Sequence, residues 1–143
     1  MTPPRIDHIG IVVDDLDAAV SALARLLPGA PLRRRSLPDA GLEVAEFEAA
    51  NLIVELLRYT DAGDGFGRAV MGDATGVNHL SLAVPDLDAA LTALQGTGVE
   101  PLAGFPRRGA HGRIAFLPRE PSTGLRFELC QPDDAAPPAE PSR

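Results

Sequence analysis

Two stretches decide the reading: IDHIGIVVDDLDAAVSAL at residues 6–23 and VNHLSLAVPDLDAALTAL at residues 77–94. Aligned at an offset of 71, nine of their 18 positions are identical, among them His8/His79, Asp15/Asp86 and Leu16/Leu87. A second echo follows at an offset of 73, where LIVELL (52–57) matches LRFELC (125–130) and pairs Glu55 with Glu128. Two echoes in the same order at nearly one offset mark a duplicated module.

Each copy reads alike. An apolar run with β-branched residues and period two predicts a strand. Asp15 or Asp86 then offers a helix N-cap, and Leu16, Val20, Leu23 and Leu27, or Leu87, Leu91 and Leu94, recur at helical spacing. Pro28-Gly29 and Gly96–Gly98 close the helices. Further strands are predicted at about 42–48, 51–58, 113–118 and 125–130. The chain divides into a first module (1–60), a Gly/Asp-rich linker (61–76) with a short helix near Phe66–Met71, a second module (77–132), and an acidic, Pro-rich tail (133–143) whose composition predicts disorder.

The chain has 143 residues, 45% of them hydrophobic, enough for one aliphatic core; Trp is absent and aromatics are 4%. Thirteen basic residues, all Arg, stand against 20 acidic ones, a net charge of -7. That argues against nucleic acid and against an anionic membrane surface as partners. A single cysteine, Cys130, excludes an internal disulfide framework. No apolar run is long enough to span a membrane, and the N-terminus lacks a signal-peptide centre, so a cytoplasmic protein is expected.

Strand alternation places His8, Gly10 and Val12 on one face and Ile9, Ile11 and Val13 on the other. His79, Ser81 and Ala83 correspond in the second copy. The bulky face is expected to carry the helix. The His face, lined by small residues, leaves room for a ligand cleft. Glu55 and Glu128 lie inside apolar sequence, where a carboxylate is costly to bury without compensation. A divalent cation held by His8, Glu55, His79 and Glu128 supplies it, and the donor types do not choose among Zn, Co, Ni, Mn and Fe(II). The bland alternatives are a hydrogen-bonded strand histidine and an edge-strand glutamate. Recurrence of both residue types in both copies weighs against them.

The third histidine, His111, lies in GFPRRGAHG (104–112), a loop without the Lys-Ser/Thr ending of a phosphate-cradling loop. Its default is solvation; over a cleft, His111 and Gly112 become substrate contacts. Cys130 reads as core. Arg33-Arg34-Arg35 reads as a solvated stretch or a contact for an anionic substrate, and Arg126 as a carboxylate-binding or ion-pairing residue.

These motifs, together with GAHGRIAFL, Ser122-Thr123-Gly124 and Glu128-Leu129-Cys130-Gln131, resemble the vicinal oxygen chelate superfamily of glyoxalases, extradiol dioxygenases, drug-binding resistance proteins and methylmalonyl-CoA epimerases, and most of all its epimerase branch. The resemblance reaches to about Pro132. It implies an α+β fold of two tandem βαβββ modules in a cupped mixed sheet. It implies a divalent metal (Co, Mn, Ni, Zn, Mg or Fe) on His8, Glu55, His79 and Glu128, an acyl-CoA substrate, and a homodimer. It also implies epimerisation through an enolate, with Glu128 both ligand and base. The family's second base aligns with Val44 in the strand GLEVAEFEA; Glu46, on the same face, is the substitute expected here. Glyoxalases carry the same ligand types, so a lyase acting on a hemithioacetal is the alternative, and a small-molecule binding protein the competing class.

Overall fold

The computed structural model describes residues 2–133. The first copy folds as β1 (Arg5–Val12), α1 (Leu16–Leu26), β2 (Leu32–Leu37), a 3-10 turn (Pro38–Ala40), β3 (Leu42–Glu48) and β4 (Ile53–Tyr59). A connecting helix α2 (Phe66–Met71) leads to β5 (Gly76–Ala83), α3 (Leu87–Leu94), β6 (Arg107–Arg108), β7 (Gly112–Phe116) and β8 (Arg126–Pro132). All eight strands join one curled mixed sheet in the order β2-β3-β4-β1-β5-β8-β7-β6. The two halves of that order mirror each other, β4 lying parallel to β1 as β8 does to β5, and the two first strands meet antiparallel at the centre. The expected pair of βαβββ modules in a cupped mixed sheet is the fold observed.

Local chemistry explains the matching halves. Asp15 and Asp86 each accept the N–H three residues on, Ala18 and Ala89, at 3.0 Å, so both helices start on the same cap. Each helix then buries its first leucine, Leu16 at 5% and Leu87 at 0% exposure. Leu16 packs with Ala45, Phe47 and Leu56, against the bulky face of β1 at Ile11 and Val13. Leu87 packs with Ala115, Leu129 and Leu82. The helices thus cover one face of the sheet. The other face holds a third cluster of Leu42, Val44, Leu57, Phe116 and Met71 from α2.

Two strands escape the sequence pattern. β2 contains the arginine run that reads as solvated, yet it pairs along its whole length with β3. Arg34 does reach Asp17 at the surface, whereas Arg35 turns inward to Glu46. A charged edge strand is held by backbone bonds, and its charges deter further pairing. β6 is two residues long, too short for any periodicity. The expectation of a disordered tail lies outside the described residues from position 134 onward; Asp133 itself is held by Arg108 and donates its N–H to the His111 carbonyl. Among the described residues no helix is long and apolar enough to cross a membrane.

Candidate metal centre

The central strands bring the two copies' functional residues together. Gly10 faces His79 and His8 faces Ser81 across the β1–β5 pair. Gly10 lies beside Glu55 on β4, and Ser81 beside Glu128 on β8. His8, Glu55 and His79 offer ligand atoms within 4.8 Å of one another, and Glu128 Oε1 is 3.2 Å from His8 Nε2. All four are buried, between 1% and 6% exposed. Three of the residues singled out by the repeat thus form one cluster in the wall of a cavity, and Glu128 adjoins it through His8. Leu57, Val70, Met71, Phe105, Ile114 and Phe116 also line that cavity.

Each histidine is aimed by its own predecessor. Asp7 Oδ2 accepts from His8 Nδ1 at 2.8 Å, and Asn78 Oδ1 accepts from His79 Nδ1 at 3.0 Å. Irregularities in the β1–β5 register at Asp7 and Asn78 bring side chains that strict alternation sends to the other face to the same buried side. These bonds assign Nδ1 of each ring as an N–H; they leave Nε2 of His79 as a free lone pair, while His8 Nε2 faces Glu128 and Glu55. Neither His8 Nε2 nor His79 Nε2 has a hydrogen-bond partner. Sequence reasoning missed both partners, although Asp7 and Asn78 occupy equivalent places in the repeat.

Burial and charge set the electrostatics. Burial lowers His79 to about 4, so it is neutral. Burial pushes Glu55 up to about 7, with Glu128 and Glu46 adding to the rise. Burial works against charge on Glu128 too, but His8 outweighs it and Ser81 Oγ donates to Oε1 at 2.7 Å, so Glu128 lies below the ordinary carboxylate range. His8, despite its burial, is raised by Glu55 and Glu128. A neutral His79 whose buried Nε2 lone pair has no partner, and buried carboxylates whose charge burial penalises, are what a divalent cation would satisfy in place of the proton on His8, and the donor set fits one.

His111 is not solvated. Its ring lies between two carboxylates, with Nε2 2.5 Å from Asp7 Oδ2 and Nδ1 2.5 Å from Glu46 Oε2. Against the cost of burial, these partners raise it to about 12. It lines the cavity while Glu46 sits behind it, its other oxygen 3.2 Å from Arg35 Nε. Gly112 does not line the cavity. It packs against β8, where an added Cβ falls 2.4 Å from the Gln131 carbonyl oxygen. Cys130 is fully buried, its thiol raised by burial, with Sγ 4.0 Å from His111 Nε2. Arg126 does not line the cavity.

Gly10 is required by contact, because a Cβ there falls 2.1 Å from His79 Cε1. A Gly10→Ala chain is expected to displace the His79 ring, lose about 1–3 kcal/mol of stability to overpacking, and bind metal more weakly. Thermal melts and metal titration check both effects; unchanged values in both refute the contact argument.

The model of the glyoxalase/bleomycin resistance protein/dioxygenase superfamily matches residues 7–117. The ethylmalonyl-CoA/methylmalonyl-CoA epimerase of Cereibacter sphaeroides is 32% identical over 130 residues, covering 89% of this chain and 97% of that one. The uncharacterized protein YqjC of Bacillus subtilis is 31% identical over 129 residues, covering 90% and 92%. The crystal structure of methylmalonyl-CoA epimerase from Mycobacterium tuberculosis superposes with a TM-score of 0.76 at 28% identity, covering 90% of this chain and 87% of that one. A methylmalonyl-CoA epimerase in complex with methylmalonyl-CoA and NH4+ gives 0.76 at 29% identity, covering 93% and 97%. With its duplicated modules and converging His/Glu pairs, the chain belongs to the glyoxalase/bleomycin resistance protein/dioxygenase superfamily.

Proposed function

We propose that this chain is a metal-dependent epimerase of a malonyl-type acyl-CoA. The observation that carries the reading is the convergence of His8, Glu55, His79 and Glu128 in the wall of an apolar cavity, in a chain similar over nearly its whole length to acyl-CoA epimerases. Those four residues would hold the metal. Bound there, a divalent cation would supply positive charge to stabilise the negative charge that develops on the acyl group as the α-proton leaves.

The chain's own groups do the rest. Glu128, kept ionised beside His8 and oriented by the Ser81 hydroxyl, takes the proton on a carboxylate oxygen. The second proton carrier is His111, whose Nδ1 lies 2.5 Å from the Glu46 carboxylate in an ion pair. Glu46 alone was the expected second base. Enclosed between His111 and Arg35, it reaches the cavity through the imidazole. The apolar walls exclude water and so strengthen these interactions.

The test is incubation of 2-methylmalonyl-CoA in deuterated water with metal-loaded protein. Deuterium at the α-carbon is expected; none overturns activity on that acyl group. Because glyoxalases carry the same ligand types, methylglyoxal with a thiol is the control.

A further inference from the structure

An aromatic wall runs from the buried end of the cavity to its rim. His79 meets Phe116 at a ring-centroid distance of 4.9 Å, Phe116 meets Phe105 at 5.5 Å, and Phe105 meets Phe66 at 5.5 Å. The Arg107 guanidinium then lies over the Phe66 ring, 4.1 Å from its centroid. Burial follows the same direction, from His79 at 1% and Phe116 at 5% to Phe105, Phe66 and Arg107, which are half-buried. Arg107 thus sits at the outer end of a track that begins at the candidate metal centre.

The neighbouring charges single it out. Arg108, beside it in β6, is engaged with Asp133. Among the described residues no carboxylate pairs with Arg107. The groove around Arg5, Arg33 and Arg35 carries more carboxylates than arginines in its own walls. A guanidinium fixed by stacking has lost little freedom in advance and keeps its N–H edge for an anion.

The cavity measures about 60 Å3. One water needs about 10–15 Å3, so the cavity takes roughly four to six water-sized groups. The cavity takes the reacting part of an acyl head at most, and the carrier must leave along the wall.

We propose that Arg107 captures an anion of the substrate at the outer end of this aromatic track, so that the site selects acyl compounds whose negative charge reaches the cavity rim. The anion is a phosphate of the thiol carrier or a carboxylate of the acyl group. This deepens the acyl-thioester reading and rests on it for the head group alone.

The experiment compares wild type, Arg107→Ala and Arg107→Lys, each checked for wild-type circular dichroism and metal content. Free CoA and malonate are titrated calorimetrically, which needs no turnover. In Arg107→Ala the Kd for at least one probe is expected to rise about tenfold or more, the loss expected for a bond to a charged group. Arg107→Lys recovers part of it. With methylmalonyl-CoA the same factor appears in KM while kcat is kept. Repetition with methylmalonyl-pantetheine, which lacks the phosphates, separates the sources. A KM defect confined to the CoA thioester assigns phosphate, and a defect with both assigns carboxylate. Unchanged Kd for both probes overturns the proposal, whether or not the protein epimerises anything. Absent deuterium exchange with an intact Arg107 binding effect overturns the epimerase reading instead.

Discussion

A His79→Ala chain is expected to fold yet lose its metal, while the wild type carries about one divalent cation per chain. The imidazole it removes is poised for coordination. Burial keeps it neutral at about 4, and its Nδ1 is held by Asn78, which leaves a buried Nε2 lone pair without a partner. Its ring rests on Gly10, so it is placed by the backbone of the neighbouring strand. Loss of an outer partner costs a metal site about 10–100-fold in affinity, and loss of the ligand itself should exceed that. Asn78→Ala belongs between the two, because Asn78 also donates to the Met71 carbonyl at 2.8 Å and so ties the histidine to α2. Elemental analysis and competitive chelator titration measure the series, with circular dichroism as the folding control. Wild-type stoichiometry and affinity in His79→Ala would remove His79 from the ligand set.

The repeat made most of this legible. Equivalent placement exposed His8/His79 and Glu55/Glu128, and the two Asp caps and helical leucines fixed both βα units. The helix at Phe66–Met71 and the strand at Leu42–Glu48 lie where the pattern put them. What the pattern hid has physical causes. Strict alternation sends Asp7 and Asn78 away from the histidines, and only the irregular β1–β5 register returns them. His111 meets Asp7 across 104 positions of chain, a contact no local window contains. β2 owes its place to backbone pairing, and its arginines erase the period-two signal. Glu46 was chosen for its face. Its register opposite Glu55 agrees with that choice, but its enclosure by His111 and Arg35 depends on three elements meeting.

Isotope exchange can separate the two proposed proton carriers. Glu128→Gln keeps the shape of a buried side chain and removes the oxygen anion that receives the proton. Epimerisation should fall about 10²–10⁴-fold, the usual contribution of a positioned base, and deuterium should no longer enter the 2-epimer whose proton Glu128 takes. Glu46→Gln acts differently. It strips His111 of one of the two carboxylates that hold it near 12, which lowers its pKa and removes the ion pair at Nδ1. Glu128 remains to remove and replace a proton on its own face. One epimer should therefore still wash in deuterium without inverting, while the other neither exchanges nor inverts. Each purified epimer in deuterated water, followed by proton NMR for exchange and by chiral coupling for inversion, reads both quantities at once. Equal loss of exchange and inversion in Glu46→Gln for both epimers, with metal content intact, would mean that Glu46 and Glu128 act on a single proton and that a two-base description is wrong. Wild-type inversion in that variant would leave Glu46 with only the task of holding His111 against Arg35.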